Sequence, residues 1–456
     1  MPSVDLFVPP RPVPRRQELN WYRLLRALRS DALGMWPEGA YEQDILVNKF
    51  FGRQRVLLNA AGAIHHVLVE NAANYRRSPA SIRILRPLVG DGLFLSEGED
   101  WKHQHRTIAP SLAPRVLPLL ARHVADVAQE AVQRLTSCQD EAIDLLAALQ
   151  FLALEIAGRS MFSLEMRRHG PALRKLIARF GARLGRPYLF DMLLPPSIPT
   201  LRDLARHRFR GQWVALMDRI VGARLAVALE GAPRDLFDVL RAARDPETGA
   251  AFSPAQLRDQ VATLIVAGHE TTALALFWSL YLLASAPAEQ QRLADEVAGI
   301  DLAPGGIDRA LTYLPYTRAV VSEALRLYPP AFVIVREAIA EDRWQDVAIP
   351  AGSLAMVSPW ILHRHRRYWQ NPDSFDPSRF LEGAPAIPRL AYLPFGTGPR
   401  VCVGAQFALT EATIVLATLI RHFEVALIGT RPVLPAAVVT TQPDHPALFR
   451  LRLRQG

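Results

Sequence analysis

The sequence predicts a mainly α-helical protein with a small β region. Three observations lead there. Residues 115 to 230 carry a succession of helical apolar patterns, and Val261 to Ala286 is a single apolar run far longer than any ordinary strand. Strand-like stretches are short and few, at residues 44–58, at 347–358 and after Phe423. With 456 residues, 50% apolar and 21% charged, the chain can bury a large core. Length alone suggests about three domains. No repeat or linker divides the sequence after residue 17, however, and its chemistry-bearing motifs span residues 101 to 404, so one domain over 18–456 is expected.

Composition narrows the function classes. Two cysteines, Cys138 and Cys402, are too few for a disulfide framework or a Cys-rich zinc site and fit a reducing compartment. The net charge of +9 comes from fifty arginines and only three lysines. They form no stripe with interleaved aromatics, so no nucleic-acid partner is expected; a basic face for an acidic electron-transfer protein is.

Residues 1–17 hold Pro2, Pro9, Pro10, Pro12 and Pro14 and read as an extended, poorly ordered tail with no signal-peptide core and no membrane anchor, hence a cytoplasmic protein. Residues 44–58 read as two strands around Gly52, and Ala60–Asn71 as a helix. Residues 75–98, with Pro79, Pro87, Gly90, Gly92 and Gly98, read as a long apolar loop. Trp101 opens a helix that carries His105 on the same face, while Arg106 is turned about 100° away. Between 115 and 230 the helices are broken at Pro171, Pro187, Pro195-Pro196 and Pro199. The break at 185–200 is apolar and aromatic, which suits either a lid over an oily pocket or a buried crossover.

The run Val261–Ala286 is long enough to span a bilayer, but Gly268-His269-Glu270-Thr271-Thr272 interrupts it. A central Glu is costly in lipid, so a core helix is predicted. Gly and two Thr in mid-helix also break helix logic, and such violations tend to mark functional sites. Glu323 and Arg326 stand three apart on one helix that stops at Pro329-Pro330. A strand is expected toward Arg336, a hairpin over Val347–Ser358 about Pro350-Ala351-Gly352, and an irregular meander over Trp369–Phe380.

The remaining stretch is Phe395-Gly396-Thr397-Gly398-Pro399-Arg400-Val401-Cys402-Val403-Gly404, followed by the apolar run Ala405–Ile420. Gly and Pro force irregular backbone that delivers one thiol to a helix start. The free N–H groups there, and Arg400, favour a thiolate, which is a metal ligand.

This loop resembles the haem-binding loop of the cytochrome P-450 superfamily, Phe-Gly-x-Gly-x-Arg-x-Cys-x-Gly, and Ala267–Thr272 resembles that family's oxygen-binding motif. The resemblance implies a cytochrome P-450 fold and haem b as cofactor, with Cys402 as iron ligand and Phe395, Gly396 and Arg400 lining the haem. It implies that Trp101, His105 and Arg336 hold the propionates, and that residues 75–98 cap the substrate pocket. Gly268 would leave space for dioxygen, Thr271 would offer a hydroxyl to it, and Glu270 would feed protons through water. Glu323, Arg326 and Arg379 would form the buried triad that holds the cysteine loop; Ser378 departs from the Glu found in many members. The activity implied is insertion of one oxygen atom of dioxygen into a hydrophobic substrate, with electrons from a separate ferredoxin or flavodoxin and its NAD(P)H-dependent reductase. A peroxide-driven peroxygenase and a haem-dependent gas-sensing protein are the alternatives.

Overall fold

The apolar run expected to be a core helix is the longest element of the computed structural model, which describes residues 6–17, 19–138, 140–163, 166–195, 197–228 and 231–454. In chain order the first helices are α1 (Trp21–Ser30), α2 (Ala61–His65), α3 (Pro79–Val89), α4 (Gly98–Ile108), α5 (Leu117–Thr136) and α6 (Leu145–Phe162). There follow α7 (Met166–Arg179), α8 (Leu189–Leu193), α9 (Leu201–Leu225), α10 (Leu236–Ala242) and the long α11 (Pro254–Ser285). The last are α12 (Pro287–Val297), α13 (Ile307–Ala310), α14 (Pro315–Leu327), α15 (Pro359–Leu362) and α16 (Ala405–His422).

Strands β1 (Ile45–Phe50), β2 (Arg53–Leu58), β3 (Tyr75–Arg77), β5 (Ile334–Ala338) and β8 (Leu354–Val357) form a sheet in the order β1-β2-β8-β5-β3. Only β2 and β8 in it run parallel. A second sheet orders β4 (Ile143–Asp144), β12 (Leu448–Leu453) and β9 (Phe423–Ile428); β6 (Asp342–Trp344) with β7 (Val347–Ile349), and β10 (Pro435–Ala437) with β11 (Thr441–Pro443), are isolated pairs.

Helix α11 starts where its sequence says it should. Gln256 N donates to Ser253 Oγ at 3.2 Å, Ser253 N donates back to Gln256 Oε1 at 2.9 Å, and Pro254 occupies the first turn, where no N–H is needed. It packs against α6, α16, α14, α9 and α3, so apolar residues on all its faces are buried, among them Leu274, Phe277, Trp278 and Leu282. By length and hydropathy α6 and α11 could each cross a membrane, but 67% of each apolar window is buried against the rest of the protein.

Several expectations need correction. Residues 75–89 are not a loop but strand β3 and helix α3, and only residues 90–97 are irregular. Ser78 Oγ accepts Ser81 N at 3.2 Å and Pro79 sits in the first turn, a strong start signal that the count of prolines and glycines obscured. Pro87 lies inside the helix near its end, where it forgoes the bond an N–H would make to the Arg83 carbonyl, and Gly90 (φ +62) ends the helix where a Cβ would strike the Asp259 carboxylate at 2.2 Å. Pro171, read as a break, lies inside α7.

The expected hairpin over 347–358 does not form. β7 pairs with β6 across a turn at Gln345 (φ +49), whereas β8 enters the five-stranded sheet, so Gly352 separates two sheets. The helix expected over 60–71 is α2 followed by one π-helical turn, His66–Glu70.

The N-terminal tail, read as poorly ordered, runs extended along the body where it is described. Phe375 N donates to Phe7 O at 2.8 Å and Arg11 pairs with Asp373 at 2.8 Å, because proline-rich backbone keeps its carbonyls free for outside partners. Residues 1–5, with Pro2, lie outside the described residues, as does Pro196. The 185–200 segment is tied down from below: the Arg83 guanidinium donates to the carbonyls of Phe190, Leu194, Pro195 and Ile198, and Arg206 forms a buried pair with Asp191 at 2.6 Å. Its Tyr188, Phe190, Leu193 and Ile198 remain exposed.

Candidate haem site

The cysteine loop is built by glycines and by its own backbone. Gly396 (φ +73) and Gly398 (φ +75) take left-handed conformations that other residues rarely adopt. A Cβ on Gly398 would also lie 2.0 Å from Leu68 O, so this glycine lets the loop rest directly on the π-helical turn His66–Glu70. Cys402 N donates to Phe395 O at 3.0 Å, closing the loop, and α16 begins three residues later, with Gly404 at its cap.

Cys402 is an exposed residue whose surroundings are nevertheless protein: burial pushes its thiol up, and the Gly404 N–H pulls it down. The thiol is therefore accessible although protein surrounds it. On α11, which packs against α16, Ala267 is exposed and Gly268 and Thr271 half-buried although their neighbours Ile265 and Thr272 are buried.

Arg400 does not sit beside the sulfur as expected. Its guanidinium donates to Ser96 O at 2.8 Å and to Glu97, and lies 4.5 Å from the centre of the Trp101 ring. Trp101 in turn packs on His105, ring centres 5.1 Å apart. Arg106 turns away to Asp245, at 3.0 Å, and Glu247, at 2.9 Å.

Arg77 and Arg336, opposite each other in the β3–β5 register, complete the cluster. Burial, then Arg336 and Arg400, pushes Arg77 down to about 9; burial and Arg400 push Arg336 to about 10. Burial, then Arg400, lowers His105. Glu97 is the one carboxylate these shifts invoke, and Arg77 Nε is buried without a hydrogen-bond partner. An excess of cations in a partly buried place is costly unless anions arrive. The cluster, with a thiol near it, fits a ligand that carries two carboxylates and a thiolate-seeking metal, as haem b does.

A family model described as Cytochrome P450 matches residues 38–446. The chain belongs to the cytochrome P450 family. Among relatives, cyclooctatin synthase of Streptomyces melanosporofaciens is 32% identical over 371 residues, 78% of this chain and 77% of that one. Cyclooctat-9-en-7-ol 5-monooxygenase of the same organism is 32% identical over 343 residues, covering 73% and 72%. Taurochenodeoxycholic 6 alpha-hydroxylase of Sus scrofa is 30% identical over 403 residues, covering 82% and 78%. The crystal structure of the cytochrome P450DA heme domain superposes with a TM-score of 0.82 at 25% identity, over 97% of this chain and 98% of that one.

This P450 is therefore an oxidoreductase, a haem-b-dependent monooxygenase of mainly α fold. On α11, Thr271 Oγ1 stands 2.5 Å from Ala267 O, to which it donates within the helix. A methyl on Gly268 would meet Met161 Cε at 3.4 Å, so the space it leaves is bounded by α6. His269 is buried, and burial pushes its ring down to about 4, a neutral imidazole. Glu270 Oε1 accepts from Thr440 Oγ1 at 2.8 Å, in the β10–β11 turn, and from Gln442 Nε2 at 2.6 Å, in β11.

The Glu323–Arg326–Arg379 group forms as the resemblance implied. Arg326 Nε and Nη2 each donate to Glu323 at 2.6 Å in full burial, and Arg379 Nε stands 3.6 Å from Glu323. The Ser378 hydroxyl, where many members carry Glu, donates to Asp376 at 2.5 Å and does not reach the Glu323–Arg326 pair.

Sequence reasoning missed Arg77, Glu97, Thr440 and Gln442. The first two sat in the misread loop, where a Ser-Pro helix start just after Arg76-Arg77 was the available signal. Thr440 and Gln442 meet Glu270 across 170 and 172 residues, and nothing local announces them.

Proposed function

We propose that this P450 hydroxylates or epoxidises a hydrophobic small molecule with dioxygen, using electrons from a separate ferredoxin or flavodoxin and an NAD(P)H-dependent reductase. The observation that carries the oxygen-dependent reading is Glu270: its carboxylate is held by Thr440 and the exposed Gln442, one residue from Thr271, where it can take a proton at the surface and release it inward. Thiolate-ligated haem supplies reductive activation of dioxygen.

In this reading Cys402 Sγ would be the iron ligand, the Gly404 N–H would temper the sulfur's charge, and Phe395 and Gly396 would border the haem. Trp101, His105, Arg336 and Arg400 would hold the propionates, joined by Arg77. Thr271 Oγ1, which donates to Ala267 O, would be the hydroxyl available to bound dioxygen. Gly268 keeps the helix bare there. The hydrophobic substrate is supported by relatives whose names specify a cyclooctat-9-en-7-ol and a taurochenodeoxycholic substrate.

The test supplies reductase, ferredoxin and NADPH in one arm and hydrogen peroxide in the other, with a panel of hydrophobic substrates. Oxygen uptake with product in the reductase arm is expected. Product only with peroxide would establish the peroxygenase alternative, and reversible oxygen binding without turnover would establish a sensor.

A further inference from the structure

His363 is as buried as any residue in the protein and belongs to none of the motifs above. It lies just past α15, between the triad helix and the approach to the cysteine loop. Leu393 N donates to His363 Nε2 at 2.8 Å, so that nitrogen carries no proton. Nδ1 therefore holds the ring's single proton and donates it to Arg326 O at 3.2 Å, while the His363 carbonyl accepts from Arg326 Nη1 at 2.8 Å. The next residue back is fixed to the same helix: the Tyr392 hydroxyl donates to Ser322 O at 2.8 Å, and its ring packs 5.1 Å from that of His363. From Leu393 the chain reaches the sulfur in two backbone steps, Gly396 N to Leu393 O at 3.2 Å and Cys402 N to Phe395 O at 3.0 Å.

We propose that His363 is a positioning residue for the iron ligand: a neutral imidazole, protonated on Nδ1, that transmits the rigidity of the Glu323–Arg326 pair to the start of the Cys402 loop. The buried pair alone does not reach that loop. Arg326 touches backbone at 363, 372 and 374, and the described side-chain link from those segments to residue 393 is this imidazole. Burial and then the Arg326 charge push the ring down to about 3, which keeps Nε2 free to accept at any pH the protein meets. Without the acceptor, the buried Leu393 N–H is left unpaired, and the loop gains a reason to move toward water.

The inference rests on the thiolate reading above, and its test separates the two. The haem-loaded protein, His363→Leu, His363→Gln and, as a comparison, His365→Leu are reduced with dithionite, exposed to carbon monoxide and titrated with mild urea, with secondary structure followed in parallel. Gln places an acceptor oxygen near the lost Nε2. His365 is equally buried but accepts nothing from the loop; its Nε2 meets Gln43 O at 3.2 Å.

The expected result is that His363→Leu raises the fraction with an unshifted Soret band by about threefold or more before helix is lost. His363→Gln stays near the parent, and His365→Leu lowers the unfolding midpoint while keeping the shifted band until the helices melt. A His363→Leu protein that holds the shifted band to global unfolding, or a Gln variant no better than Leu, overturns the inference. Absence of any shifted band in the parent would instead sink the thiolate reading. Should His363→Leu fail to fold, amide exchange in the parent holoenzyme decides: the Leu393 N–H should exchange as slowly as the middle of α16, and exchange as fast as at Arg389 and Leu390 overturns the inference.

Discussion

Replacing Arg326 by Met should be among the costliest single changes in this protein, and the structure gives the size. The guanidinium makes two 2.6 Å bonds to Glu323 and bonds of 2.8, 2.6 and 2.9 Å to the carbonyls of His363, Pro372 and Ser374, all buried but that to the half-buried Pro372. Met fills the volume but leaves Glu323 with the Asp376 N–H at 2.9 Å and the loosely placed Arg379 at 3.6 Å. Breaking one side of a buried pair costs about 3–5 kcal/mol, a large part of a domain's whole stability of about 5–15 kcal/mol. At a urea slope of about 3 kcal/mol/M, the upper end for small domains, that is a fall of about 1.3 M in midpoint. Arg379→Ala removes a weaker, 14%-exposed contact and should cost about 1 kcal/mol, or about 0.3 M. Urea unfolding of the haem-loaded proteins, followed by far-UV circular dichroism, reads both; midpoints are compared because a bound cofactor spoils two-state analysis. Equal shifts for the two variants, or a fall for Arg326→Met no larger than that for Arg379→Ala, would refute the assignment of Arg326 as the centre of the triad.

Thr271→Ala should bind substrate and accept electrons nearly as well as the parent, but release more hydrogen peroxide and less product per NADPH; full coupling would show that the hydroxyl plays no part in directing protons. His105→Ala should lower haem retention more than Arg106→Ala, because Arg106 is engaged by Asp245 and Glu247 and His105 faces Trp101 and Arg400; dialysis against apomyoglobin measures the loss, and equal losses would count against the placement. Glu411, buried in α16, is pushed up to about 8 by burial. Its unfolded counterpart ionises near 4.3, so between the two values the unfolded chain binds fewer protons and stability falls as pH rises, levelling off above 8. Glu411→Gln removes that loss. Its gain in stability over the parent should grow from pH 5 to pH 8 by at most about 1.4 kcal/mol per unit, and a gain independent of pH would mean the carboxyl is not buried as described.

What the sequence made legible was local. The cysteine loop, the mid-helix Gly-His-Glu-Thr-Thr and the Glu323/Arg326 spacing each lie within ten residues, so the motifs are visible locally although their partners in space, such as Leu68, Glu97, Thr440 and Pro372, are far along the chain. The errors came where prolines and glycines were counted without their positions. Ser78-Pro79 starts α3, Pro87 costs it one hydrogen bond near its end without breaking it, and Gly90 ends it against Asp259. Gly352 is a real turn, but the strands on its two sides join different sheets, which pairing at long range decides. Arg400 was assigned to the sulfur because it is two residues away. Its partner is instead Glu97, more than three hundred residues earlier, and a local reading has no way to weigh that competitor.

The measurement closest to the central claim is the carbon-monoxide spectrum of the dithionite-reduced protein with and without the sulfur. The parent should show the red-shifted Soret band of a thiolate-ligated carbonyl complex, and Cys402→Ala, if it retains haem, should show only the unshifted band. A Cys402→Ala protein that keeps the full red-shifted band would contradict the assignment of Cys402 as the iron ligand.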